Sequence, residues 1–330
     1  MAHSEATKRA PVDVLITAPL PVVGAEATGN LIFHRLWEAP DASTFLDEVG
    51  PRIRGIAAGG RVQIDAEVLD RLPAVEIIAS FGVGYDRVDV AAARDRGMIV
   101  TNTPDVLTEE VADLAFGLLI ATLRQLPQAD RFVREGHWLS RPFPLSASLR
   151  GRTVGILGLG RIGKAIARRL DASAVKVVYH GRTQQADVPY DYYASPLAMA
   201  HAVDTLVLVA PGTAETDGLI NAEVLAALGP TGVLINVARG SVVDETALVK
   251  ALQNRTILAA GLDVFQDEPK VPADLIALDN VVLLPHVGSG STYTRDAMGQ
   301  LVLDNLVAWF QGQPPLTPVP ETPLEISKRT

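Results

Sequence analysis

Short apolar runs alternate with stretches of helical periodicity along most of the chain. The apolar runs predict buried strands, which in chain order are residues 12–18, 53–58, 75–80, 99–101, 153–157, 176–179, 205–209, 232–237, 259–263 and 281–284. Apolar residues at helical spacing predict helices that include residues 27–37, 66–72, 88–96 and 291–310. Strands that alternate with helices indicate parallel sheets covered on both faces, and therefore an α/β fold.

The regular alternation changes in three places. From Thr108 the pattern lengthens into a helix with an acidic first turn that is apolar on most faces, which is typical of a buried helix. Residues 132–148, which include Trp138, have no clear period and are predicted to be irregular. The prolines of residues 314–323 also argue against regular structure there.

Composition limits the possible functions. With 330 residues, 48% of them hydrophobic, the chain is long enough for two domains with packed cores. It has no cysteine, which excludes disulfides, thiol nucleophiles and thiolate metal sites, and we predict no metal site. The net charge of −9 argues against a nucleic-acid partner, so an anionic ligand needs a local cationic pocket.

No stretch of the sequence has the pattern of a signal peptide or a membrane span. The N-terminal residues lack a long apolar segment, and the longest apolar-rich segment, residues 114–123, is too short to cross a bilayer. We therefore expect a cytoplasmic protein with no membrane partner.

A glycine turn directly follows the strand predicted at residues 153–157. Gly158, Gly160 and Gly163 have G-x-G-x-x-G spacing, and helical periodicity continues from residue 161. In such a junction the first glycine permits a tight turn, the second lets the backbone approach a pyrophosphate, and the third packs helix against strand. The sequence therefore predicts a dinucleotide site at this turn.

The end of the next predicted strand indicates which dinucleotide binds. An NAD site normally has an acidic residue about twenty positions after the first glycine, to bind the ribose 2′-hydroxyl. Here Gly181, Arg182 and Thr183 occupy that place, and the next acid is Asp187. A guanidinium and a hydroxyl suit a 2′-phosphate, so we predict NADPH in preference to NADH. The alternative is that Arg182 is simply a solvated loop charge.

Three further strand ends carry a guanidinium, a carboxylate and an imidazole. Arg239, Glu268 and His286 follow successive predicted strands, where ligands of open α/β sheets bind. Taken alone, Arg239 and Glu268 are each explained as an exposed surface side chain. Together they suit hydride transfer to a 2-keto acid: the Arg binds the substrate carboxylate and polarises the carbonyl, the His donates a proton as general acid, and the Glu orients the His.

These motifs together resemble those of the D-isomer-specific 2-hydroxyacid dehydrogenases. The resemblance runs from about residue 12 to about residue 318 and rests on the motifs GLGRIG at 158–163, NVARG at 236–240, GLDVF with a following Glu-Pro at 261–269, and LPHVG at 284–288. It is strongest for the NADPH-dependent glyoxylate, hydroxypyruvate and hydroxyphenylpyruvate reductases. It implies that Arg239, Glu268 and His286 are the catalytic residues.

The resemblance also implies the domain organisation. Residues 1–104 and 287–330 are expected to form a discontinuous substrate domain, and residues 105–286 an NADP-binding Rossmann domain. Both domains are expected to be Rossmann-like, doubly wound parallel sheets, with the active site in the cleft between them. In the loop at residues 80–86, the backbone N–H groups of Val83 and Gly84 are expected to bind the substrate carboxylate. An ordinary glycine turn explains that loop equally well.

Cofactor contacts and oligomeric state follow from the same resemblance. The implied cofactor-binding residues are Thr108, Gly158, Leu159, Gly160, Arg161, Ile162, Gly163, Gly181, Arg182, Thr183, Pro211, Thr216, Val237, Ala238, Arg239, Asp263, His286 and Gly288. Asp263 is expected to face the nicotinamide carboxamide, whereas the loop at residues 211–216 departs from the family pattern at its first positions. The buried helix and the irregular arm imply a homodimer, in which Trp138 either reaches the neighbour's active site or packs in the interface.

The leading hypothesis is thus NADPH-dependent reduction of the small 2-keto acids glyoxylate and hydroxypyruvate to D-2-hydroxy acids. The alternatives are a reductase of hydroxyphenylpyruvate or phenylpyruvate type and, from another class, a dinucleotide-sensing protein like the transcriptional co-repressors of this fold. An NAD-linked dehydrogenase of phosphoglycerate type fits less well, because the acid expected near residue 182 is absent.

Overall fold

The computed structural model describes residues 10–23 and 30–322 and divides the chain into two units. The first unit comprises the described residues up to Leu107 and from Thr292 onwards, and the second is Thr108–Ser291. The second unit is therefore inserted into the first. Within the described residues, no helix is long and apolar enough to span a membrane.

The first unit contains a five-stranded parallel sheet in the order β2-β1-β3-β4-β5. Its strands are β1 Val12–Ile16, β2 Leu31–Arg35, β3 Ile53–Ala58, β4 Ile77–Ser80 and β5 Ile99–Thr101. Its helices are α1 Ala42–Val49, α2 Ala66–Asp70, α3 Val90–Asp95 and, from the C-terminal part of the chain, α11 Thr292–Phe310. The sheet is buried because α11 packs on β3 and β4 while a separate apolar cluster covers the other face.

The second unit contains a seven-stranded parallel sheet in the order β12-β11-β10-β9-β6-β7-β8. Its strands are β6 Thr153–Leu157, β7 Lys176–His180, β8 Asp191–Tyr192, β9 Thr205–Leu208, β10 Val233–Asn236, β11 Ala259–Leu262 and β12 Val281–Leu283. Its helices are α4 Thr108–Arg124, α5 Leu126–Arg134, α6 Arg161–Ala172, α7 Pro196–Ala200, α8 Ala222–Leu228, α9 Glu245–Gln253 and α10 Ala273–Ile276. The strand order reverses between β6 and β9, which is where doubly wound sheets bind ligands.

The α/β class and all ten predicted strands are confirmed, but one predicted helix is wrong. Of residues 27–37, the first three lie outside the described residues, and Leu31–Arg35 is β2, which pairs with β1. Apolar residues at 31–33 fit either period, and pairing with β1 decides for the strand. Helix α1 begins instead after Asp41, whose side chain accepts a hydrogen bond from Thr44 N at 2.7 Å.

The region around residue 132 also differs from the prediction. Residues 132–134 belong to α5, and the short 3₁₀ helix His137–Leu139 follows. Phe132 is buried and holds this segment against Phe143, whose ring centroid lies 5.3 Å away. The two-residue strand β8 was not predicted, because it is too short to show a period.

Candidate active site

The glycine turn lies at the switch point of the second sheet. Gly158 has φ +99°, and a Cβ there would lie 2.9 Å from Ala210 N, in the loop after β9. A Cβ on Gly163 would lie 2.2 Å from the carbonyl oxygen of Gly158. These two glycines are therefore required by close packing of the turn itself.

Gly160 differs, because no atom lies within 4 Å of the position of its Cβ. It is the N-terminal cap of α6, and the first N–H groups of a helix have no partners within that helix. Open space beside unpaired N–H groups and the positive end of a helix dipole suits a pyrophosphate. These residues therefore fit the diphosphate of a dinucleotide.

The predicted contacts Leu159 and Ile162 pack into the apolar core of the second unit. Gln185, which the sequence analysis missed, supports the turn: its Nε2 donates to the Leu159 carbonyl at 2.9 Å. Gln185 N also donates to the hydroxyl of the buried Tyr179 at 2.7 Å. A glutamine on a loop gives no sequence signal for this role.

The loop after β7 carries Arg182 and Thr183, both exposed. The first acid after it, Asp187, lies 3.4 Å from Lys164 on α6 and so forms an exposed ion pair. From the loop after β9, Glu215 lies within electrostatic reach of Arg182. A hydrogen bond from Thr213 lowers the pKa of Glu215, and its own backbone N–H and the charge of Arg182 lower it further.

The loop after β9 is closed by its own side chains. Thr216 Oγ1 donates to the Pro211 carbonyl at 2.6 Å, and Thr213 N donates to Thr216 Oγ1 at 2.9 Å. A Cβ on Gly212 would lie 2.8 Å from Arg239 Cγ, so this loop packs on the aliphatic part of Arg239. The predicted contacts Pro211 and Thr216 thus lie beside the first candidate catalytic residue.

Arg239 is held by the turn that ends β10. Asn236 is 1% exposed; its Oδ1 accepts from Ala238 N at 3.0 Å and its Nδ2 donates to the Arg239 carbonyl at 3.0 Å. A Cβ on Gly240 would lie 1.9 Å from the carbonyl carbon of Phe265. Only glycine fits there, because the loops after β10 and β11 are in direct contact. Asn236 belongs to the recognised motif at residues 236–240, but its supporting role was not predicted.

Glu268 and His286 form a hydrogen-bonded pair. His286 Nδ1 lies 2.8 Å from Glu268 Oε2, and Phe265 N donates to Glu268 Oε1 at 3.2 Å. Burial alone raises the pKa of Glu268, but the hydrogen bond and charge of His286, the Phe265 N–H and the charge of Arg239 outweigh it, so the pKa is lowered. The carboxylate is therefore ionised and can only accept, which makes Nδ1 the donor. Nε2 of His286 remains for a substrate, and the side chain is 44% exposed.

Asp263 anchors the backbone beside His286. It is 1% exposed, and its two carboxylate oxygens accept from Val287 N at 2.7 Å and Gly288 N at 2.8 Å. His286 has φ +56°, a conformation that non-glycine residues rarely adopt, and these bonds hold it there. Burial raises the pKa of Asp263, and the two N–H groups and His286 oppose that effect.

The structure brings most of the predicted residues together in the second unit. Thr108 is the first residue of α4, and Val237, Ala238 and Gly288 lie in the strand-end loops already described. Val83 and Gly84 belong to the first unit, in the loop after β4. In residues 10–23 and 30–322, no group of three or more acidic or histidine side chains is arranged to hold a metal ion.

Residues 116–288 match the family model described as D-isomer specific 2-hydroxyacid dehydrogenase, NAD binding domain. The chain is 47% identical to the glyoxylate/hydroxypyruvate reductase A of Arabidopsis thaliana, over 86% of this chain and 91% of that protein. It is 46% identical to the hydroxyphenylpyruvate reductase of Plectranthus scutellarioides, over 93% of this chain and 99% of that protein. Among solved structures, an NADPH-dependent glyoxylate/hydroxypyruvate reductase from Sinorhizobium meliloti, in complex with NADP and malonate, superposes with a TM-score of 0.91. That protein is 52% identical, and the match covers 96% of this chain and 98% of that one.

Proposed function

The chain belongs to the D-isomer-specific 2-hydroxyacid dehydrogenase family, and we propose that it reduces glyoxylate and hydroxypyruvate to D-2-hydroxy acids with NADPH. The observation that carries the proposal is the hydrogen bond of 2.8 Å between Glu268 and His286. This pair places a histidine whose Nε2 is unused by the carboxylate on the same sheet edge as Arg239. A keto-acid reductase needs that combination of proton donor and guanidinium.

Each member of the trio has one role in this reaction. His286 donates the proton from Nε2 to the carbonyl oxygen of the substrate. Glu268 keeps the imidazole in the tautomer with the proton on Nδ1 and stabilises its protonated form. Arg239 binds the substrate carboxylate and polarises the carbonyl. The cofactor, when bound, supplies the hydride that reaches the carbonyl carbon.

For the substrate carboxylate we propose, in addition to Arg239, the backbone N–H groups of Val83 and Gly84. Among residues 10–23 and 30–322, neither N–H donates a hydrogen bond to a protein acceptor. Unpaired backbone donors beside a glycine suit a small carboxylate, because they supply hydrogen bonds and leave space for it.

NADPH rather than NADH is proposed because of the loop after β7. Arg182 and Thr183 stand where an NAD site has an acid, and Asp187 is engaged with Lys164. The proposed contacts of the cofactor are the residues named from the family resemblance, from Thr108 to Gly288. Asp263 is included in that set because it lies next to His286. Its carboxylate also accepts hydrogen bonds from the backbone N–H groups of Val287 and Gly288.

A homodimer is proposed because large exposed apolar side chains concentrate in one segment of the second unit. They are Leu126, Val133, Trp138, Leu139 and Leu145, of which Leu139 and Leu145 are 95% and 101% exposed. Exposed apolar surface of this kind marks an interface. Sedimentation equilibrium is expected to give twice the monomer mass, and the double variant Leu139→Glu, Leu145→Glu is expected to shift it to the monomer.

The catalytic proposal is tested by mixing the purified protein with NADPH or NADH and each 2-keto acid, and following the absorbance of the reduced nicotinamide. We expect turnover of glyoxylate and hydroxypyruvate, faster at limiting NADPH than at equal NADH. Absence of turnover with every keto acid would overturn the proposal.

Hydroxyphenylpyruvate is a second candidate substrate, favoured by the 46% identity to the Plectranthus enzyme over nearly its full length. Including it in the same panel decides between a small and an aromatic substrate, since the ratio of kcat/KM values measures the preference directly.

A further inference from the structure

The loop after β4 is held from behind by the residues that follow β5. Asn102 Nδ2 donates to the Val83 carbonyl at 2.9 Å, and Thr103 N donates to the Gly82 carbonyl at 2.9 Å. Both carbonyl oxygens therefore point towards residues 102–103. No role for Asn102 was predicted from the sequence.

These two bonds determine where the loop N–H groups point. Within the described residues the only cis peptide bond precedes Pro269, so the two peptide units of this loop are trans. In a planar trans peptide the N–H points opposite to the C=O. The carbonyl of Gly82 shares its peptide unit with the N–H of Val83, and the carbonyl of Val83 shares its unit with the N–H of Gly84. Both N–H groups are therefore directed away from Asn102, on the same side.

Asn102 is in turn held by the segment that follows α11. Its backbone N donates to the Thr317 carbonyl at 3.2 Å, and its carbonyl accepts from Thr317 Oγ1 at 2.6 Å. Asn305, a fully buried residue of α11, accepts from Thr317 N at 3.1 Å and donates to Thr317 Oγ1 at 3.0 Å. An unbroken chain of hydrogen bonds thus runs from α11 through Thr317 and Asn102 to Val83.

We propose that Asn102 is a positioning residue for the substrate carboxylate, and that Thr317 supports it. Asn102 fixes the peptide between Val83 and Gly84, so that two adjacent N–H groups are already aligned when the carboxylate arrives. This inference rests on the proposed function, because it assigns the support of the proposed carboxylate site. It attributes an effect on substrate affinity to Thr317, which is far in the sequence from the loop after β4.

Three variants separate positioning from stability. Asn102→Leu removes the bond to Val83 at nearly constant volume, and Thr317→Val removes the hydroxyl that fixes Asn102. Thr322→Val is the matched control, because Thr322 Oγ1 ties the same segment to the backbone N–H and carbonyl of Val100 without touching Asn102. For each variant we measure KM and kcat for glyoxylate, the Kd of NADPH, the thermal midpoint, and the Kd of oxalate, an unreactive carboxylate of similar size.

We expect Asn102→Leu to raise the KM of glyoxylate and the Kd of oxalate about tenfold, because misaligned donors lose binding in ground and transition states alike. The kcat and the Kd of NADPH are expected to stay within about twofold. Thr317→Val is expected to show the same pattern at about threefold, and Thr322→Val to lower the thermal midpoint with KM unchanged.

Unchanged KM and oxalate affinity in a folded Asn102→Leu protein would overturn the inference. So would a rise in KM that follows the loss in thermal midpoint across all three variants, since that is the behaviour of a structural residue. Oxalate binding needs no turnover, so an inactive wild-type protein refutes the proposed reaction, while loss of oxalate affinity in Asn102→Leu still supports the positioning role.

Discussion

The two sheets of this protein end their strands with different chemistry. In the second unit, the strand-end loops present the side chains of Arg239, Glu268 and His286. In the first unit, residues 82–84 of the loop after β4 have no titratable side chain and present backbone N–H groups. Side chains can gain or lose a proton, whereas peptide groups can only bind. The proposed roles are therefore proton transfer and carboxylate binding for the second unit, and carboxylate binding alone for the first.

The difference also appears in how each loop is supported. Glu268 and Asp263 hold His286 through charged groups that are partly or wholly buried. Asn102 and Thr317 hold Val83 through neutral groups only. Substitutions of His286 and Glu268 should therefore change turnover and its pH dependence, whereas substitution of Asn102 should change affinity for the substrate.

The largest expected effect is that of His286→Asn. Asparagine keeps a polar side chain beside Glu268 but cannot act as general acid, and we expect kcat to fall about 10³-fold. Fluorescence titration is expected to show the Kd of NADPH within about threefold of the wild type. Retention of kcat in this variant would show that His286 is not the proton donor.

The sequence predicted the parts of this arrangement that have a local signal. Buried strands show as continuous apolar runs, and the glycine turn has fixed spacing. Arg239, Glu268 and His286 each lie within a few residues of the end of such a run. The supporting roles have no such signal: Asn236 belongs to one of the recognised motifs, but only the fold shows which backbone groups Asn236, Gln185 and Asn102 bind. Edge strand β2 was missed for a similar reason, because pairing with β1 rather than its own pattern determines its conformation.

The second unit also presents backbone N–H groups at the start of α6, where two glycines are expected to have different roles, Gly160 in ligand binding and Gly163 in packing. Gly160→Val places a side chain in open space, so we expect the thermal midpoint to stay within a few degrees while the Kd of NADPH rises about 100-fold. Gly163→Ala forces a Cβ against the Gly158 carbonyl and should destabilise the fold by about 3 kcal/mol. Scanning calorimetry measures the stability of both variants, and titration calorimetry measures their Kd for NADPH. Equal loss of stability in the two variants would contradict a ligand role for Gly160.

We predict that the choice between NADPH and NADH depends on a pair of opposite charges in the second unit, Arg182 and Glu215. Arg182→Ala is expected to lower the ratio of kcat/KM with NADPH to that with NADH about tenfold, because the guanidinium no longer binds the 2′-phosphate. Glu215→Gln is expected to raise the same ratio about threefold by removing a negative charge near that phosphate. Both effects should shrink as salt screens exposed charges. A ratio that is the same in both variants and the wild type would leave Arg182 as a solvated loop charge.

The smallest expected effect is on stability as a function of pH, and it separates the supports of the two loops. The pKa of Glu268 is lowered from its ordinary 4.5, so its contribution is present above pH 4.5 and is lost as the pH falls through the lowered value. The pKa of Asp263 is raised from 3.8, so its contribution is present below pH 3.8 and is lost as the pH rises through the raised value.

In urea titrations, the stability lost in Glu268→Gln should be about 1 kcal/mol at pH 7 and should vanish in acid. The difference in free energy of unfolding between wild type and Asp263→Asn should change with pH in the opposite direction. The corresponding difference for Asn102→Leu should stay constant with pH, because no proton is involved. A pH-dependent difference for Asn102→Leu would show that the first unit's loop also depends on a titrating group.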